Sequence, residues 1–131
     1  MSNTGPPYYV LRCVKYLQNR LPHMDMTLIE YTRSYIAGLK YHKNQETPTK
    51  NKIYLCLLDT NNQFDTKAVG IYSNKNRIGF VPQVLSKSIH EHLNETPEST
   101  AVLCYCFGFT TEKSSQCMYL TFKITPALSI T

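Results

Sequence analysis

Two short polar stretches of the sequence carry the residue types that are most informative about chemistry. The first places Lys40 beside Tyr41, and a cation next to an aromatic ring on a polar loop is typical of a contact surface. The second is residues 61–81, with the sequence NNQFDTKAVGIYSNKNRIGFV, in which an Asn-rich turn precedes an aromatic–acid pair and a hairpin. In that pair, Phe64 is either a core residue or a contact residue. Asp65 either caps the turn, as Asp often does, or meets a ligand.

Motifs of known catalytic sites are absent from the sequence. It contains no G-x-x-x-x-G-K-[ST] motif for ATP, and no G-x-S-x-G, H-E-x-x-H or G-x-G-x-x-G motif. His90 and His92 lie two residues apart on a predicted helix, so their side chains face different directions. We therefore expect a binding module with no catalytic residues, rather than an enzyme.

Composition and charge permit an anionic partner. The 131 residues fit one domain, and 42% hydrophobic with 18% charged residues is typical of a chain that folds around a core. The formal net charge of +5 favours nucleic acid or another anionic surface without requiring either. Ten tyrosines suit strands, and their flat faces also suit the stacking of bases.

The cysteines and the absence of long apolar runs predict the cellular compartment. The five cysteines are an odd number and form no C-x-x-C motif. The first nine residues are not an apolar signal segment. No apolar run approaches the roughly 20 residues that are needed to cross a bilayer. We expect a soluble intracellular protein, nuclear if the host is eukaryotic, with no membrane partner. Cys104 and Cys106 would share one face of a strand, but neither they nor the four histidines show zinc-finger spacing. We therefore expect buried free thiols and no cofactor.

The periodicity of apolar residues predicts several short strands and one clear helix. Residues 8–17 fit either a short helix or an added strand, since the pattern does not decide between them. In residues 117–125 apolar and partly polar positions alternate, which predicts a strand with one buried face. The predicted strands are 28–39, 53–58, 68–72, 77–81, 101–109 and 117–125; the predicted helix is 83–94, and the polar loop is 43–52.

This order predicts a mainly β protein with one or two short helices, folded as an OB-like small β-barrel. We expect an N-terminal extension at residues 1–26, a domain at residues 27–126 and a tail at residues 127–131.

The polar stretches also resemble a known family, the HIRAN domains, which precede Swi/Snf-type DNA-remodelling ATPases or stand alone. The family pattern is roughly G-[LI]-[RK]-[YH]-Y, then N-x-[YF]-D-x-x-A-[IV], then x-[VI]-G-[YHF]-[VL]-P and a helix. This chain has GLKY at residues 38–41, NQFDTKAV at residues 62–69 and IGFVP at residues 78–82. The resemblance covers residues 28–125, and the last two motifs at their usual spacing are its most specific part.

The resemblance implies a pocket that binds single-stranded DNA at a free 3′ end. Carried over by position, Tyr41 and Phe64 would stack on bases, and Asp65 would accept a hydrogen bond from the 3′-hydroxyl. Lys40 would contact a phosphate and Asn62 would brace the turn. One further aromatic, Phe107, would line the pocket. No ligand spacing in this chain supports the zinc association known at the family level.

The chain departs from the family pattern at several of these positions. Phe64 lacks the hydroxyl of tyrosine, and Gln63 replaces a frequent proline, which loosens the turn. Phe80 and Gln83 stand where some DNA-binding members have a histidine and a lysine. The lost phosphate contacts would then fall to two other cations, Arg77 and Lys87.

Two functions follow as alternatives. The first is recognition of single-stranded DNA with a free 3′-hydroxyl in DNA repair or at replication forks, in association with a larger repair protein or ATPase. The second is a non-catalytic protein-interaction adaptor that keeps the fold and has lost DNA binding. The adaptor hypothesis predicts an exposed apolar or tyrosine-rich patch, for which Tyr8, Tyr9 and Tyr16 are candidates.

Overall fold

A computed structural model describes residues 6–38, 47–110 and 114–128 of the chain. Within these ranges, two helices and six strands follow one another along the sequence. In chain order they are α1 (Tyr8–Arg20), β1 (Met24–Tyr35), β2 (Ile53–Leu58), β3 (Val69–Ser73), β4 (Asn76–Phe80), α2 (Gln83–Glu95), β5 (Thr100–Thr110) and β6 (Ser114–Pro126).

The six strands form one antiparallel sheet in the order β1-β6-β5-β2-β3-β4. The sheet is not closed into a complete barrel, but its two outer strands approach each other just beyond the end of β1. There Ala37 and Phe80 exchange two backbone hydrogen bonds, with N···O distances of 2.8 and 2.9 Å. The prediction of a mainly β, OB-like fold with one or two helices is confirmed.

Each face of the sheet carries its own hydrophobic core. On one face, Tyr54 and Cys56 of β2 and Ile71 of β3 pack with Ile89 and Leu93 of α2. On the other face, α1 covers β5 and β6, where the buried residues include Leu103, Tyr105, Leu120 and Phe122. The prediction of one buried face for residues 117–125 is therefore wrong over residues 117–122, because the second face, with Cys117 and Tyr119, is buried in the core that α2 covers.

Helix α1 resolves the choice that the sequence left open for residues 8–17. Its buried residues are Val10, Cys13 and Leu17, which recur at intervals of three and four and so form one apolar stripe. The helix ends at Arg20, shortly before Pro22, which cannot donate a backbone hydrogen bond to continue it.

Strand β1 lies earlier in the chain than residues 28–39, which the sequence pattern predicts. It begins at Met24, because Met24, Met26 and Leu28 alternate toward the core under α1 and pair with β6 as far as Pro126. It ends at Tyr35, after which the chain turns toward β4. The hairpin of β3 and β4 and helix α2 agree with their predicted positions within about two residues.

All five thiols are free and buried. Burial raises the pKa of the Cys13 thiol to about 12, and it raises the pKa values of Cys56 and Cys104 well above their ordinary value. Since the thiolate is the nucleophile and the metal ligand, these side chains act as small apolar core residues.

Within the described ranges, no group of three or more His, Cys, Asp or Glu side chains is arranged to hold a metal ion. No helix in that part of the chain has both the length and the apolar character that a membrane span requires.

The packing of α1 predicts that it contributes to the stability of the whole fold. Replacing the buried Leu17 with Ala should lower the free energy of unfolding by about 2–4 kcal/mol, through lost burial and a cavity. Leu11 lies on the exposed side of the same helix, so Leu11→Ala is the matched control and should change it by less than about 0.5 kcal/mol. Urea denaturation followed by circular dichroism measures both. Equal small effects would show that α1 is a detachable appendage.

Candidate functional site

The loop between β2 and β3 is folded by its own polar groups. The backbone N–H of Asp59 donates to the carbonyl of Ala68 at 3.0 Å, which joins the two ends of the loop. Inside it, the side-chain Oδ1 of Asn62 accepts the backbone N–H groups of Phe64 and Asp65, both at 2.9 Å. Asn favours such turns because its short amide substitutes for a backbone acceptor.

Asp65 extends this hydrogen-bonded turn. Its Oδ1 accepts the backbone N–H of Lys67 at 2.9 Å, and its carbonyl accepts the N–H of Ala68 at 3.2 Å. The side chain is half-buried, and no donor among the described residues contacts Oδ2. One carboxylate oxygen therefore caps the turn while the other is left as an acceptor.

Phe64 projects from this turn into solvent, and 98% of its surface is exposed. It is therefore not a core residue. Hydrogen bonds to Asn62 fix the backbone at Phe64 and at the following residue, so the point at which the side chain leaves the turn is defined. An apolar ring exposed to water on a hydrogen-bonded turn is typical of a binding surface.

Two cavities open beside Phe64, and its ring lines both of them together with Asn62 and Phe80. The smaller cavity has a volume of about 410 Å³, and the larger about 830 Å³. The other residues of the smaller cavity are Ala37, Gly38, Asp65, Ala68, Val81 and Gln83; those of the larger are Asp59, Asn61, Gln63 and Arg77.

Gly38 allows the chain to pass close to Phe80. Its φ of +79° lies in the left-handed region, which favours glycine, and a Cβ at this position would lie 3.0 Å from Cδ2 of Phe80. Lys40 and Tyr41, two of the predicted contact residues, lie outside the described residues. The chain that leads to them leaves from Gly38, on the wall of the smaller cavity.

Arg77 supplies the positive charge of the larger cavity. Its Nη1 lies 3.1 Å from Oδ2 of Asp59, and its guanidinium carbon lies 4.6 Å from the centre of the Phe80 ring. Its Nε is buried and has no hydrogen-bond partner among the described residues. Asp59 offsets part of the arginine charge and fixes the guanidinium against the ring.

The structure does not bring Lys87 or Phe107 to these cavities. Lys87 lies exposed on α2, one turn after Gln83, and lines neither cavity. Phe107 lies on the side of the sheet that α1 covers, with its ring 5.4 Å from the Tyr9 ring and 5.3 Å from the Tyr105 ring, measured between centroids. The six predicted residues with described positions thus divide into a group of four (Asn62, Phe64, Asp65 and Arg77) and two that lie apart.

Sequence reasoning missed the role of Phe80 in shaping the site. The sequence resemblance marks it only as a position where some members of that family have a histidine, yet Phe80 lines both cavities. The sequence gives no local signal for this, because the hairpin register that places Phe80 opposite Gly70 contains a bulge between Ile71 and Tyr72.

Two solved structures resemble this fold. The HIRAN domain of human HLTF superimposes with a TM-score of 0.57 at 16% identity, over 77% of this chain and 80% of that domain. A protein from Lactobacillus plantarum superimposes with a TM-score of 0.56 at 9% identity, over 76% of this chain and 98% of its own. The chain therefore has a HIRAN-like fold.

Comparison with models of known protein families gives no match. A comparison with curated proteins gives none either.

The geometry of the loop predicts that Asn62 holds it in shape. Asn62→Ala removes the acceptor of two backbone N–H groups and should lower the free energy of unfolding by about 1–2 kcal/mol. The exposed neighbour Asn61 accepts neither of these bonds, so Asn61→Ala should leave stability nearly unchanged. Thermal unfolding of the two variants, together with hydrogen exchange at the amides of Phe64 and Asp65, checks this. Unchanged exchange in Asn62→Ala would contradict it.

Proposed function

We propose that this chain is a nucleic-acid-binding module that recognises single-stranded DNA at a free 3′ end, with Phe64 and Asp65 at the centre of the site. The observation that carries the proposal is the fully exposed Phe64 ring, fixed on a hydrogen-bonded turn between two cavities. The HIRAN-like fold and the sequence motifs at residues 62–69 and 78–82 support it.

Phe64 serves as the platform for a base. An aromatic ring binds any base because every base has a π face, and one such contact contributes about 1–3 kcal/mol. Phe80 lines both cavities, which gives the site a second apolar surface. The arrangement suits recognition without sequence preference.

Asp65 provides the selection for an end. With Oδ1 occupied by the N–H of Lys67, Oδ2 accepts the hydrogen bond of a terminal 3′-hydroxyl. A continuing phosphate at the same place would meet a carboxylate of like charge, which disfavours internal stretches.

Cations near the site bind the phosphates of the strand. Arg77 is already positioned on the wall of the larger cavity, with 33% of its side chain exposed. Lys40, with Tyr41 as a second stacking aromatic, belongs to the proposal on the sequence resemblance alone. Lys87 on the neighbouring helix belongs to it only as a substitute for the lysine that some family members have at the position of Gln83. Phe107 packs under α1, and we assign it no contact with DNA.

The setting that we propose, DNA repair or the replication fork with a larger repair protein or ATPase as partner, follows from the resemblance alone. In this setting the module supplies recognition of the end, and the partner supplies any chemistry on the DNA.

One observation favours the alternative of a protein-interaction adaptor. Strand β1 lies at the edge of the sheet order and exposes Ile29, Tyr31 and Tyr35, with 60% of the Tyr31 surface accessible. Exposed aromatics on an edge strand are typical of protein interfaces. Of the patch that the sequence predicts for an adaptor, Tyr8 is exposed whereas Tyr9 and Tyr16 are half-buried.

Fluorescence anisotropy tests the proposal with a labelled single strand bearing a free 3′-hydroxyl, the same strand with a 3′-phosphate, and blunt duplex. We expect selective binding to the free 3′-hydroxyl strand, weakened in Phe64→Ala by about 1–3 kcal/mol. Tyr31→Ala removes an exposed aromatic on β1 and is the matched control, which should bind as the wild type does. Equal weak binding to all three ligands would mean general attraction to a basic surface. No binding at all would favour the adaptor.

Asp65→Asn separates the role of the charge from that of the turn. The amide keeps an oxygen that accepts the N–H of Lys67, so the loop should remain folded. The loss of charge should reduce the preference for the 3′-hydroxyl strand over the 3′-phosphate strand, measured in the same titrations. A preference that stays at the wild-type value would remove Asp65 from the proposed role.

A further inference from the structure

A third cavity, which the proposed function does not use, lies where α1 meets β2 and the hairpin of β3 and β4. Its volume is about 290 Å³, and we call it the basic pocket because three cations, Arg12, Arg20 and Lys52, lie on its wall. The remaining lining residues among those described are Tyr16, Asn51, Ile53, Tyr72, Ser73 and Asn74, so no described carboxylate lies on its wall.

Neutral groups hold the two arginines of the basic pocket in place. Nη1 of Arg12 donates to the Tyr105 hydroxyl at 3.1 Å, and that hydroxyl donates to Oδ1 of Asn51 at 2.9 Å. The Arg20 guanidinium lies 3.5 Å from the centre of the Tyr16 ring and donates to the Tyr16 carbonyl at 3.1 Å. Neither arginine forms an ion pair with a described residue, so these contacts orient the guanidinium groups without neutralising them.

Fixed guanidinium groups without a carboxylate are suited to binding a phosphate. Arginine offers several N–H donors in a planar fork that matches the oxygens of a phosphate, and such charge-assisted bonds are among the strongest in proteins. Lys52 adds a third charge, with its Nζ 3.4 Å from the hydroxyl of Ser73 on the same wall. The chemistry of the basic pocket therefore selects a phosphate group.

The register of the β3–β4 hairpin connects the basic pocket to the candidate site. Tyr72 lines the basic pocket, and its partner across the two strands is Arg77, which lines the larger cavity beside Phe64. Residues directly opposite each other in antiparallel strands have Cβ atoms about 5 Å apart. One cross-strand pair thus separates the two cavities.

The ring of Tyr72 lies over the strand on the way to the candidate site. A Cβ placed on Gly70 would be 2.8 Å from Cε1 of Tyr72, so the ring covers Gly70, and Gly70 in turn pairs with Phe80. Tyr72 is half-buried, which leaves part of its ring accessible for stacking. Aromatic and cationic side chains therefore alternate from Phe64 to Arg77, Tyr72 and Arg20.

We propose that a DNA strand whose 3′ end is held at Phe64 and Asp65 continues over Tyr72 and places a backbone phosphate in the basic pocket. This inference rests on the proposed function. A strand is favoured over a free anion because the pocket adjoins the candidate site and because the Tyr72 ring between them suits a base rather than an inorganic ion.

The test is a length series of single strands with a free 3′-hydroxyl, from two to about ten nucleotides, whose longer members fall within the roughly 4–16 nucleotides that one OB fold binds. Wild-type affinity should rise once the strand is long enough to reach the basic pocket. Arg20→Gln should weaken the long strands about fourfold at 0.15 M salt, the contribution of about one phosphate contact, and leave the dinucleotide unchanged. Arg12→Gln should act in the same direction, and Arg20→Lys should restore part of the loss.

Lys15→Gln is the matched control, because Lys15 is exposed on the same helix and does not line the basic pocket. It removes the same charge and should leave the length series unchanged. Thermal unfolding checks that every variant is folded.

The outcomes separate this inference from the proposed function. If Phe64→Ala weakens binding while Arg20→Gln matches Lys15→Gln at every length, the basic pocket is not on the path and the proposed function stands. The inference that the strand reaches the basic pocket is also wrong if Arg20→Gln weakens the binding of strands of every length equally. It is wrong as well if inorganic phosphate binds at Arg20 while the wild-type affinity for DNA does not grow with strand length. If the wild type binds no strand of any length, both this inference and the proposed function are wrong.

Discussion

The candidate site depends on two backbone hydrogen bonds between Ala37 and Phe80. They join the segment after β1 to the end of β4, and so bring the first and last strands of an open sheet together. Because of this pairing, Gly38 lies against the Phe80 ring and the loop between β2 and β3 lies beside both. The positive φ of Gly38 and its missing side chain make that close approach sterically permissible. Without the pairing, the smaller cavity would lose one wall.

Around this junction, one set of side chains holds the loop in shape and another set is exposed to a ligand. Short polar side chains satisfy the backbone of the loop locally, since Asn62 and Asp65 accept three of its N–H groups. Phe64 is thereby held in water rather than in the core, an arrangement that lacks the burial that ordinarily stabilises an aromatic residue. Cations follow on the same side, with Arg77 against Phe80 and the arginines of the basic pocket against neutral partners. The net charge of +5 is thus partly organised along one path beside the hairpin.

Local signals in the sequence predict much of this molecule. The hairpin of β3 and β4, helix α2 and the Asn-rich turn each depend on neighbouring residues, and all three are present. The sequence did not decide between helix and strand for α1, because the helix is stabilised by packing its apolar stripe on β5 and β6, which are distant in sequence. The positions of Phe107, Phe80 and Tyr72 depend on which face of the sheet α1 covers and on a hairpin register that contains a bulge. Such long-range packing leaves no periodic trace in a single sequence.

The central claim is that Phe64 stacks on the terminal base of a strand, and a fluorescent base analogue tests it most directly. The analogue is placed at the 3′-terminal position in one oligonucleotide and, in another, at an internal position that lies beyond Tyr72 and the basic pocket, and the change in its emission on binding is measured. Stacking on Phe64 predicts a large change for the terminal analogue, a small change for the internal one, and loss of the terminal change in Phe64→Ala at saturating protein. Equal changes at both positions, or a terminal change that persists in Phe64→Ala, would contradict the account.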